Sequence, residues 1–108
     1  GEVGTTIKLP NDFSQLESMK IILFPEGTDA AWDIDIESDW AAVGEVYTTH
    51  TASNTASTYS LTINVLKEID ITSLYGQNLK NGDFVGINLI NNHATLDLNV
   101  LGIVLRYK

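Results

Sequence analysis

The stretch Leu79-Lys80-Asn81-Gly82-Asp83-Phe84-Val85-Gly86-Ile87-Asn88-Leu89, with the closing segment 95–108, decides how the chain is read. Two apolar runs flank a polar break at Asn91-Asn92-His93, and the second run closes the sequence. This pattern predicts a terminal β-hairpin at the centre of a sheet, with the other strands added around it. In the first run Val85, Ile87 and Leu89 share one face. In the second, Leu96, Leu98 and Val100 hold one phase, and Leu101, Ile103, Leu105 and Tyr107 hold the other. Alternation cannot change face without an extra residue, so a bulge near Gly102 is expected; the alternative is burial on both faces, the second by another subunit.

Working outward, Ile7 and Leu9 mark a short strand ended by Pro10, and Asp12 to Gln15 has capping-box spacing. The run 21–24 is apolar on both parities, which predicts a strand buried on both faces. Residues 31–38 alternate most clearly, with Trp32, Ile34 and Ile36 on one side and Asp33, Asp35 and Glu37 on the other. A short strand is expected over 44–50, a loop over 52–56, and further strands over 58–65 and 67–72. The expectation is an all-β chain: one domain over 1–108, an antiparallel, jelly-roll-like β-sandwich of about eight strands.

Six Lys and Arg against fourteen Asp and Glu give a net charge of −8. No cation lies between Lys20 and Lys67, where seven acids fall, so one region of the surface is expected to be distinctly negative. Nucleic acid and anionic membrane surfaces are therefore not expected as partners. With no Cys, disulfides and thiolate metal sites are excluded. No run approaches the roughly 18 apolar residues of a membrane-spanning helix. Gly1, standing where an initiator Met would be, is the start of a processed or excised chain on this reading.

Two resemblances bear on function. The run from Leu79 to Val85, followed by a hydrophobic final strand, resembles the C-terminal half of C1q and tumour-necrosis-factor-like jelly rolls, which implies a last strand at the centre of a trimer. Ile7-Lys8-Leu9-Pro10-Asn11-Asp12-Phe13, Ala41-Ala42-Val43-Gly44-Glu45-Val46-Tyr47, Gly82-Asp83-Phe84-Val85-Gly86 and Val100-Leu101-Gly102-Ile103 together resemble small β modules of uncharacterised phage and environmental-virus structural proteins. That resemblance implies a role at a virion or other extracellular surface and identifies no site.

Three groups of residues are candidates for function. Asp33, Asp35 and Glu37, with Asp39 close by, offer hard oxygens suited to Ca²⁺. An EF-hand loop counted from Asp33 would need Gly and Glu where Ser38 and Gly44 stand, and an extended strand spaces alternate carboxylates by roughly 7 Å; the competing reading is a solvated sheet face. Trp40, with Asp39 and Tyr47, is the candidate platform for a sugar ring, against a role in covering the sandwich end. Phe84, Val104 and Tyr107 are the expected interface of a homo-oligomer, a trimer in particular, with a cell-surface glycan or another virion protein as further partner. His50 and His93 are isolated, no Gly-x-Ser-x-Gly elbow is present, and His93 is expected in a solvent-exposed turn, so the chain is read as non-catalytic.

Overall fold

The computed structural model describes residues 2–108; Gly1 lies outside them, as do the side chains of Thr55 and Ala56. Seven strands are present among the described residues: β1 (Glu2–Lys8), β2 (Leu16–Pro25), β3 (Asp29–Ala41), β4 (His50–Leu61), β5 (Lys67–Asp70), β6 (Phe84–Asn91) and β7 (Leu98–Tyr107). A single 3₁₀ turn spans Thr72–Leu74. The strands form two antiparallel sheets, ordered β1-β6-β3-β4 and β5-β2-β7. The chain changes sheet at every connection except β3–β4, the alternation expected of a jelly-roll-like β-sandwich.

The terminal hairpin is the main correction. β6 and β7 lie in different sheets: β6 is held between β1 and β3, and β7 pairs with β2. With both edges of β6 taken, no ladder remains for β7. The connector instead carries the chain across the sandwich, organised by Asn91 and His93. The Trp32 indole N–H donates to Asn91 Oδ1 at 2.8 Å, and Asn91 Nδ2 donates to the Leu96 carbonyl at 2.8 Å. His93 Nδ1 accepts the backbone N–H groups of Thr95 and Leu96, its ring lies 4.5 Å from that of Trp32, and its Nε2 is 3.2 Å from Asp29 Oδ2. His93 is therefore a half-buried structural residue, not a solvated turn residue.

Alternation sets what is buried. Trp32, Ile34 and Ile36 of β3 meet Val85, Ile87 and Leu89 of β6 and Met19, Ile21 and Leu23 of β2 in one core, each at most 2% exposed. One parity of the run 21–24 differs from expectation: Ile21 and Leu23 are fully buried, whereas Ile22 and Phe24 are only half-buried on the outer face. The loop expected over 52–56 is part of β4, and the strand expected over 44–50 is a loop, its backbone turned by Gly44 at φ 97°. The bulge near Gly102 is present: Ile22 pairs with Gly102 and Leu23 with Val100, leaving Leu101 as the extra residue.

Inside the core, Ser38 is 2% exposed and fully engaged. Its hydroxyl donates to the Gly86 carbonyl at 2.8 Å and accepts the Tyr75 hydroxyl at 2.9 Å. Burial pushes the Tyr75 phenol up to about 12, against a smaller downward pull from Ser38. The unfolded chain releases this proton near the ordinary value of 10.0, so between there and about 12 the folded state holds more protons and stability falls as pH rises. Across that window the native protein should lose about 2–3 kcal/mol relative to Tyr75→Phe, measured by urea denaturation at each pH. Parallel profiles for the two proteins would show that Tyr75 is not the cause.

Candidate functional site

The outer face of the four-stranded sheet is polar at its centre. Asp33, Asp35, Glu37 and Asp39 of β3 project there, as their alternation with buried residues requires. Glu37 stands between Asn88 of β6 and Ser53 of β4, and Asp39 between Gly86 and Thr51. Beyond β6, Thr6 and Gly4 of β1 stand opposite Gly86 and Asn88. A side chain at Gly86 would rise over this row; a Cβ there meets only the Asp39 carbonyl oxygen, at 3.7 Å. The glycine thus keeps the floor low.

The loop 42–49 stands at one end of this floor. Glu45 closes it as a turn, its carboxylate accepting the Ala42 N–H at 2.8 Å and its own N–H donating to the Ala42 carbonyl at 3.0 Å. Tyr47 projects from this loop at 76% exposure, and Phe84 rises from the start of β6 at 42%. Thr6, Asp39, Glu45, Tyr47, Phe84 and Gly86 line a cleft of about 310 Å³. A more open groove of about 500 Å³ continues from it over Gly4, Glu37 and Asn88, sharing Thr6, Asp39 and Gly86. Apolar ring faces beside carboxylate acceptors and a hydroxyl suit an uncharged, hydroxyl-rich ligand, and the acid row disfavours an anion.

The sequence-predicted residues are placed unevenly. Asp39 and Tyr47 share the cleft, but Trp40 does not reach it. Trp40 is 2% exposed, stacked on His50 with ring centroids 5.6 Å apart and set edge-on to Tyr75 at 5.0 Å. It is a core residue because the parity that buries Trp32, Ile34 and Ile36 continues through Ser38 to position 40. Phe84, Val104 and Tyr107 do not form one patch: Phe84 lies on the four-stranded sheet, Val104 and Tyr107 on the three-stranded one. Tyr107 is half-buried against Phe13, with ring centroids 5.8 Å apart, and its hydroxyl donates to Asp12 Oδ1 at 3.0 Å. Thr6 and Gly86 were missed by sequence reasoning; Gly86, an isolated glycine within a strand, carried the one local signal.

Comparison with known proteins finds no matching family model, no matching curated protein and no matching solved structure.

The acid row was the candidate Ca²⁺ site. Among the described residues no three His, Cys, Asp or Glu side chains converge so as to hold a metal ion. The extended backbone of β3 spreads the carboxylates along the strand instead of gathering them. A ligand bound only by the native state raises its stability, so millimolar Ca²⁺ or a chelator should leave the melting temperature unchanged. A rise with Ca²⁺ that the chelator reverses would show that the acids do converge on the ion.

Proposed function

We propose that this domain is a non-catalytic interaction module, a structural or receptor-facing part of a larger assembly. The resemblance to phage and environmental-virus modules makes a virion or another extracellular surface its setting. The observation that carries the reading is the outer face of the three-stranded sheet. Ile22 and Phe24 of β2 are half-buried there, and Leu101 and Val104 of β7 are 59% and 45% exposed. The run 21–24 has the apolar pattern of a strand covered on both faces, yet the domain's own core covers one. A second layer from another subunit or protein would bury the other, with a gain of roughly 25 cal/mol for each Å² of apolar surface removed from water.

Val104 faces outward opposite Lys20, so Val104→Glu places a carboxylate beside an ammonium and should leave the monomer fold intact. In an assembly that covers this face, the same carboxylate is buried and the assembly dissociates. Mass measurement by light scattering with circular dichroism on both proteins tests this. Dissociation with an unchanged spectrum supports the reading, and unfolding of a monomeric protein overturns it.

A second reading is favoured by the cleft, in which Asp39, Tyr47 and Phe84 come together. Here the module binds a neutral carbohydrate, with a ring face of Tyr47 or Phe84 against the sugar and Asp39 accepting a hydroxyl. On a glycan array, neutral oligosaccharides should give signal, and Tyr47→Ala should reduce it at least about tenfold, a loss of roughly 1.4 kcal/mol. An empty array, or binding indifferent to Tyr47, would remove this reading.

A further inference from the structure

We infer that β7 is a self-pairing edge: its free side takes the β7 of a second copy, antiparallel, about a twofold axis between Leu101 and Gly102. This rests on the reading of the three-stranded sheet as the working surface, and names the partner and the register.

β7 ends the order β5-β2-β7, so among the described residues one side of a ten-residue strand has no strand beside it. Such an edge presents unpaired N–H and C=O groups and is a template for another strand. A bulge ordinarily blunts an edge, but the position of this one matters. Leu98, Val100, Ile103 and Leu105 lie opposite the buried Pro25, Leu23, Ile21 and Met19, and so face inward. Asn99, Val104 and Arg106 lie opposite Phe24, Lys20 and Ser18 and face outward. Because the phase reverses at Leu101, the two halves of the strand mirror each other about the bulge.

Antiparallel pairing requires residues directly opposite each other to share a face. A twofold axis between Leu101 and Gly102 sets Val100 against Ile103 and Leu98 against Leu105, inward facing inward. It sets Asn99 against Val104, outward facing outward. A shift of one residue opposes inward to outward side chains in both halves. At the centre, Leu101 of each copy lies against Gly102 of the other. A Cβ at Gly102 would meet nothing within 4 Å, so the exposed Leu101 side chain has room there. At the ends Asp97 faces Arg106, an opposite-charge pair made twice by the symmetry.

Charge placement favours this face. The strands of the four-stranded sheet carry six acidic residues and one cation, whereas β2, β5 and β7 carry three of each. Two copies that meet along β7 join their neutral sheets and keep their acidic faces away from the junction. An edge contact of this length belongs with small, transient interfaces, so the dimer should form in roughly the micromolar to millimolar range.

Sedimentation velocity across roughly 1 μM to 1 mM tests the proposal. The native protein should pass from monomer to dimer, with hydrogen exchange of the β7 amides slowing as the dimer forms. Gly102→Leu fills open space in the monomer, so it should leave the melting temperature nearly unchanged and weaken dimerisation at least about tenfold. Asp97→Lys should weaken it several-fold, and Asp97→Lys with Arg106→Asp should restore it. A dimer lost on Val104→Glu but indifferent to Gly102→Leu and to the charge exchange overturns the edge register while leaving the interaction surface standing. A trimer overturns the twofold in favour of a ring of unlike contacts. A monomer at every concentration overturns the second copy as the occupant of this edge.

Discussion

A two-layer sandwich dries only one face of each sheet, and most of this molecule follows from that constraint. The inner faces of β2, β3 and β6 carry Met19, Ile21, Leu23, Trp32, Ile34, Ile36, Val85, Ile87 and Leu89, all fully or almost fully buried. Polar groups admitted to that layer are mostly satisfied within it, the buried Trp40 indole N–H being an exception. Ser38 is admitted because Gly86 accepts its proton and Tyr75 donates to it, a relay that also ties β3 to β6. Deeper toward the connector, Asn91 serves the Trp32 indole on one side and the Leu96 carbonyl on the other. The polar groups inside the fold therefore fix which strands are neighbours and where the chain crosses between sheets.

Facing was legible in the sequence, and pairing was not. The alternation of β3 correctly separates the acid row from Trp32, Ile34 and Ile36, since side-chain direction in a strand is a local, two-residue property. Strand partnership is a long-range choice on which periodicity is silent. Two apolar runs around Asn91-Asn92-His93 read as a hairpin, but β1 and β3 occupy both sides of β6. The signal that turns the chain across the sandwich is carried by the Asn91 amide and the His93 ring, whose partners Trp32 and Asp29 lie about sixty residues away in sequence. Trp40 was misread for a related reason: Ser38 interrupts the apolar series, although its parity is unbroken. The second part of β4 lies within the strand expected over 58–65, but its first part reads as a loop because Ser, Thr and Asn fill an edge strand whose outer side needs no apolar cover.

The candidate cleft was legible only in part. Asp39 and Tyr47 could be picked out as residue types, yet the feature joining them to Phe84 is the register that brings Gly86 beside Asp39. A glycine in a central strand weakens packing on its own account. Here it removes the side chain that would otherwise fill the space between Thr6, Asp39 and Phe84.

The two outer faces are left with opposite chemistry, and the alternation of the chain between sheets is what separates them. Apart from β3 and β4, consecutive strands fall in different layers, so the acids of β3 and the apolar residues of β2 and β7 end on opposite sides of one core. A domain with its −8 spread evenly would repel a second copy from every direction. With the strands of one sheet carrying most of the excess and those of the other carrying none, the second sheet can approach a partner at little electrostatic cost, while the cleft beside Asp39 stays open to solvent. The same separation means that occupying the edge of β7 does not compete with occupying the cleft. A module that assembled through one face and bound a ligand at the other, as proposed, would need that independence, and in this fold it follows from strand order alone.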